Sequence, residues 1–289
     1  MPFKTAPFPY DGVVPPDDKP FFDFAANGNR GRTTRTGTVY WERETYSDRR
    51  VLVHFAKGFD AARPALIVLY LHGNGSTLQR DVARRQAVLD QVDASGLNAV
   101  LVAPQLAFDA LDSAAGRFWE PGALARFLGE AAAVFARLQP AGKRGNAAYG
   151  KLPVVIVAYS GGYLPAAWLL HHGGAEERVA GVAILDGVYG EQEKFASWIK
   201  KRQRSAFFVS AYGKSSAEGN AELRRLLAPL LPARELPRSL TPGTITLLEA
   251  PPEATHQDFV TRAWTTDPLA DLLSRISGYG RSRPKAARK

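Results

Sequence analysis

Val154-Val155-Ile156-Val157-Ala158-Tyr159-Ser160-Gly161-Gly162 runs a block of apolar, mostly β-branched residues straight into a serine and two glycines. An unbroken apolar run of this length reads as a strand covered on both faces. From Gly161 to His171 the spacing turns helical, so the chain must reverse direction at Ser160. Such a tight strand-to-helix turn holds the serine in a strained conformation, with its Oγ exposed above the sheet edge. The residues two before and two after it must be small, and they are Ala158 and Gly162. The helix N-terminus beneath the serine also favours developing negative charge. A plain Ser-Gly-Gly joint between any strand and helix is the alternative reading.

A second signal lies upstream. His72-Gly73-Asn74-Gly75-Ser76 directly follows the apolar run Ala65 to Leu71. Acyl transfer through a tetrahedral intermediate needs two or more donors aimed at its oxyanion, and glycines let backbone N–H groups turn inward. One donor is expected at Asn74 or Gly75 and the other at Gly161. The loop stands one β–α unit plus one strand before the serine, which a generic turn does not explain.

The base is found by elimination among five histidines. His54 falls in an early strand, His72 opens the glycine loop, and His171 and His172 end the helix after Ser160. His256 alone follows the last strand, in Ala254-Thr255-His256-Gln257-Asp258-Phe259, where a loop can carry it back to Ser160. The acid must orient that histidine. Asp186 ends a buried strand in Ile184-Leu185-Asp186-Gly187, on the edge where side chains reach a site. The next strand leads into a loop whose one carboxylate, Glu218, is the alternative acid. Asp258 is too near His256 in sequence to orient it.

Working outward, Thr38 to Glu42 and Val51 to Phe55 read as an antiparallel hairpin. Strands then alternate with helices: a helix over Leu78 to Ala94, a strand over Asn98 to Ala103, a helix over Gly122 to Leu138. After Ser160 come strands at Val179 to Leu185, Ala206 to Ala211 and Thr244 to Leu248. This order predicts an α/β domain over residues 38–280, with a mostly parallel twisted sheet and helices on both faces. Residues 1–37, rich in Pro, Gly and Asp, read as an extended arm that packs Phe3, Phe8, Tyr10, Phe21, Phe22 and Phe24 onto the domain. Residues 281–289 read as a basic, solvated tail.

The loop His72 to Gly75, the turn Ala158 to Gly162 and the order Ser160, Asp186, His256 resemble the α/β-hydrolase superfamily over roughly Thr38 to Leu273. The segment Phe118-Trp119-Glu120-Pro121-Gly122 and the run Val157 to Trp168 are similar to bacterial hydrolase-like proteins. The resemblance implies an eight-stranded sheet and a serine hydrolase acting through an acyl-enzyme, with no metal or organic cofactor. Two features depart from the family pattern: Ala158 replaces the first glycine, and the acid follows the sixth strand instead of the seventh. The reading is an ester hydrolase. The alternatives are an amidase or peptidase with the same triad, and a catalytically silent binding protein of the same fold. About 20 residues separate Asp186 from the next strand, enough for one helix (Glu191 to Lys201) and no large lid. The longer loop Gln105 to Gly122 carries Phe118 and Trp119, which with Tyr159 are candidates to wall a substrate pocket.

Composition sets the outer limits. The chain is 45% hydrophobic and 22% charged, as in ordinary folded domains. No apolar run approaches the ~20 residues of a membrane span. The absence of cysteine excludes thiolate nucleophiles, disulfides and cysteine-ligated zinc. The net charge is +9, but five positive charges sit in the last nine residues, and no nucleic-acid module accompanies them. The expected partner is therefore a small ester or amide. The opening residues lack an apolar leader core, so a cytoplasmic location is expected.

Overall fold

Successive side chains of a strand point to opposite faces, so one long apolar run can feed two cores at once. In the computed structural model, which describes residues 1–34 and 36–280, the runs do so. Ile67, Leu69 and Leu71 join one cluster, whereas Leu66, Val68 and Tyr70 join the other. The strands are β1 (Val51–Phe55), β2 (Leu66–Leu71), β3 (Ala99–Pro104), β4 (Val154–Tyr159), β5 (Val179–Leu185), β6 (Phe207–Tyr212) and β7 (Ile245–Glu249). They form one sheet in the order β7-β6-β5-β4-β2-β3-β1. All neighbours are parallel except β1, which runs antiparallel to β3.

Helices cover both faces. On one side lie α2 (Ala123–Leu138), with α3 (Gly142–Tyr149) against it, then α4 (Tyr163–His172), α5 (Gln192–Arg202) and α6 (Ala217–Leu226). On the other lie α1 (Val88–Ala94) and α7 (Pro268–Ser274). The helix expected over Leu78 to Ala94 is two pieces. A wide-turn segment, Leu78–Arg85, gives way to α1 at Ala87, which takes φ +46°. Buried Asp81 accepts from Thr77 N–H at 2.7 Å and Arg85 at 2.8 Å, and so shapes that first segment. The β5–β6 crossover holds α5 alone, so the fold carries no large lid. Among the described residues, no helix is long and apolar enough to cross a membrane.

The sheet has seven strands, not eight, because the expected hairpin does not form. Val39–Trp41 pairs instead with Asn29–Thr33, which pairs with Phe24–Ala26 in a separate three-stranded sheet. Between Val39–Trp41 and β1, Glu42–Thr45 coils into a helical turn and Tyr46 is fully buried, which swings the chain away. The small sheet crosses the expected boundary at residue 37, so the arm is folded rather than extended. Phe3, Phe8, Tyr10 and Phe21 are buried in the same cluster as the α2 face. The tail, 281–289, lies outside the described residues.

The parallel order brings the C-terminal ends of β2, β4, β5, β6 and β7 to one edge of the sheet. His72, Ser160, Asp186, Gly213 and the loop carrying His256 all leave from that edge.

Candidate active site

Ser160 ends β4 with φ +52°, and the chain passes through Gly161 and Gly162 into α4. The glycines are steric requirements. A Cβ on Gly162 would lie 2.3 Å from the Leu71 carbonyl oxygen, and one on Gly161 would lie 2.0 Å from Asn74 Oδ1. Ala158, two residues before the serine, is fully buried and its methyl is accommodated. The structure gathers Ser160, His256 and Asp186 into one hydrogen-bonded chain. His256 Nε2 is 2.8 Å from Ser160 Oγ, and His256 Nδ1 is 2.6 Å from Asp186 Oδ2. An ionised carboxylate can only accept, so Nδ1 carries the proton and Nε2 is left to accept from the serine hydroxyl.

Asp186 is 1% exposed and ends β5 at φ +43°. Burial pushes its pKa up. Hydrogen bonds from His256, Ser215, Ser216 and the Gly213 N–H outweigh that effect and hold it at about 2. Ser215 Oγ donates to Oδ2 at 2.6 Å, while Ser216 Oγ and Gly213 N–H (3.1 Å) donate to Oδ1. Glu218 sits exposed in the first turn of α6, and no hydrogen bond joins it to His256 among the described residues. The two serines had no signature in the sequence beyond their place in a strand-end loop.

His256 opens a short turn, His256–Val260, closed by a capping box: Asp258 Oδ2 accepts from Thr255 N–H and Oγ1, both at 2.8 Å. Thr255-x-x-Asp258 was the readable signal for this role. The Tyr159 ring stacks on the imidazole at 5.0 Å, and its hydroxyl donates to the His256 carbonyl at 3.1 Å. Tyr159 thus supports the histidine from below.

The glycine loop is pinned by buried side chains. His72 donates from Nδ1 to the Gly73 carbonyl at 2.8 Å, and its Nε2 accepts from Leu106 N–H and the Gln105 amide, both at 2.9 Å. Burial lowers its pKa to about 4, so it stays neutral. Gln105 also bonds Leu78 N–H and the Ser76 carbonyl. One expected donor is corrected here: Gly75 N–H is already given to the Ala110 carbonyl at 2.7 Å. Asn74 N–H has no acceptor among the described residues. Its side chain, held by Ser113 Oγ at 3.0 Å, lies against Gly161.

Phe118 and Trp119 are also corrected. They are 0% and 5% exposed and belong to the core under the N-terminal arm. Trp119 meets Tyr10 and Phe21, and Phe118 meets Phe127. Their loop is long because it packs down against the arm, where Asp112 accepts from Tyr46 at 2.7 Å and Arg32 at 3.1 Å.

A serine on a strained strand-to-helix turn of a mostly parallel sheet, with its partners following in the order Asp, His, decides the architecture. The fold is of the α/β-hydrolase type. No family model and no curated protein matches the chain. Among solved structures it is similar to a mutant of the feruloyl esterase module from Clostridium thermocellum complexed with sinapinate. There the identity is 16% over 96% of this chain and 100% of that one, with a TM-score of 0.49. It is also similar to an S-formylglutathione hydrolase from Agrobacterium tumefaciens, at 13% identity over 82% of this chain and 92% of that one, TM-score 0.48. A third is a soluble variant of monoglyceride lipase from Saccharomyces cerevisiae, at 10% identity over 93% and 95%, TM-score 0.44.

Proposed function

We propose that this α/β-hydrolase-type protein is a serine hydrolase that cleaves carboxylic esters through an acyl-enzyme. The observation that carries the reading is the continuous chain from Ser160 Oγ through His256 to Asp186, at 2.8 and 2.6 Å. Ser160 Oγ attacks the ester carbonyl carbon while His256 Nε2 takes its proton. Asp186 stabilises the imidazolium and fixes its tautomer. The N–H groups of Gly161 and Asn74 receive the oxyanion. His256 then returns the proton to the departing alcohol, and the acyl group stays on Ser160. Water repeats the sequence with His256 as base, releasing the acid and restoring the serine.

Turnover of p-nitrophenyl acetate, compared with the matching anilide and with the Ser160→Ala variant, tests the reading. The expected result is ester cleavage well above amide cleavage, with a loss of about 10⁴-fold or more in the variant at an unchanged thermal midpoint. Cleavage of the anilide in preference would make the protein an amidase. No turnover by the wild type would favour a binding protein.

A further inference from the structure

In the proposed reaction one of the two oxyanion donors, Asn74 N–H, belongs to an exposed loop residue. A single downstream segment, 109–113, fixes that residue and its neighbour. Gly75 N–H donates to the Ala110 carbonyl at 2.7 Å. Arg80 bridges the Gly75 carbonyl, at 2.5 Å, to Asp109, at 2.8 Å. Ser113 Oγ donates to Asn74 Oδ1 at 3.0 Å. Both of those oxygens press on the other donor residue: a Cβ on Gly161 would lie 2.0 Å from Asn74 Oδ1 and 2.6 Å from Ser113 Oγ. Asn74 Oδ1 is an acceptor packed beside a donor that the oxyanion needs. The Ser113 hydroxyl engages that acceptor and holds the carboxamide in one orientation.

Segment 109–113 is gripped in turn from the small three-stranded sheet. Arg32 and Tyr40 face each other in register across two of its strands. The Tyr40 hydroxyl accepts from Leu111 N–H at 3.2 Å, and Arg32 Nε donates to Asp112 Oδ2 at 3.1 Å. Tyr46 donates to the same carboxylate oxygen at 2.7 Å, while Oδ1 accepts from Ala114 N–H at 3.1 Å and so closes the backbone around Ser113. The Arg32 and Asp112 side chains are only 18% and 10% exposed. An ion pair so shielded from water is weakened less by solvent than a surface pair. The Arg32 guanidinium also lies 4.7 Å from the centre of the Phe21 ring, which fixes its place.

We propose that Ser113 is a positioning residue for the oxyanion site, and that the cross-strand pair Arg32–Tyr40 acts on catalysis through it. The proposal rests on the hydrolase reading above. Ser113 sets where Asn74 and Gly161 present their N–H groups, and those groups act on charge that develops only in the transition state. Its loss therefore falls on kcat and spares KM.

The test measures turnover of p-nitrophenyl acetate and inhibition by trifluoroacetone, whose adduct with Ser160 carries an oxyanion in the same place. Ser113→Ala should lower kcat about tenfold with KM within about twofold, and weaken trifluoroacetone by about the same factor. Ser113→Thr keeps the hydroxyl and should restore most of both. Arg32→Met should lose several-fold in the same two readouts, and so should Tyr40→Phe, the gentler cut at the same pair. Either change combined with Ser113→Ala should be no worse than Ser113→Ala alone. Thermal midpoints identify the variants that fold. A kcat untouched by Ser113→Ala, a loss confined to KM that spares trifluoroacetone, or losses that multiply in the double variants would overturn the proposal while the wild type remains a hydrolase. A wild type that neither cleaves the ester nor binds trifluoroacetone would overturn both.

Discussion

Ser160 and Asp186 both take positive φ, at the ends of neighbouring strands β4 and β5, and both are followed by glycine. Such a conformation costs a non-glycine residue of order 1 kcal/mol or more, and here it lifts the hydroxyl and the carboxylate towards one imidazole. Strand ends followed by glycine are visible in a sequence, which is why Ser160 and Asp186 could be singled out, while His256 was reached by elimination among the histidines. Ser215 and Ser216 could not, because a serine that donates to a buried carboxylate resembles any loop serine until the fold brings the two together. Their effect has a definite sign. Tyr189, pushed up to about 12 by burial, and Tyr159, raised further, stay protonated beside the pair. Ser216→Ala removes one donor from Asp186 and makes that carboxylate more basic. The midpoint of acid unfolding should then move to higher pH by about half a unit. An unmoved midpoint would leave Ser216 a packing residue. For stability, a folded pKa of about 2 against an ordinary carboxylate near ~3.9 means a contribution present above that range and lost as pH falls through about 2.

Elements were legible as apolar runs, but their partners were not. Thr38 to Glu42 and β1 each look like strands, and nothing in either run states that one pairs with the arm and the other with β3. Phe118 and Trp119 show the same limit, since an aromatic loop residue reads alike whether it walls a pocket or fills a core. The glycine loop after β2 was recognisable, yet the capture of Gly75 N–H by Ala110 depends on a segment 35 residues downstream. The turn carrying His256 offers a test at this scale. Asp258 accepts both Thr255 donors and Arg262 at 2.8 Å, and it touches neither Ser160 nor the imidazole. Asp258→Ala should cost about 1 kcal/mol of stability and lower kcat about tenfold by loosening the histidine. Stability lost with kcat intact would mean that Asp186 and Tyr159 suffice to position the ring.

For the molecule as a whole, the arm is part of the core. Phe8 is fully buried against Phe21 and Tyr46, at 5.8 and 5.2 Å between ring centres. Phe8→Ala should therefore lose about 3–5 kcal/mol in chemical denaturation, whereas a loss below ~1 kcal/mol would make the arm peripheral. The arm also reaches the site indirectly: its Arg32, together with Tyr46, holds Asp112, and the neighbouring Ser113 holds Asn74 against Gly161. In the proposed reaction all of this scaffolding serves one covalent event at Ser160. Peptide mass spectrometry after brief exposure to a fluorophosphonate observes that event directly. A single adduct on Ser160, lost in His256→Ala, is the expected result; an adduct elsewhere, or labelling of Ser160 that does not depend on His256, would contradict it.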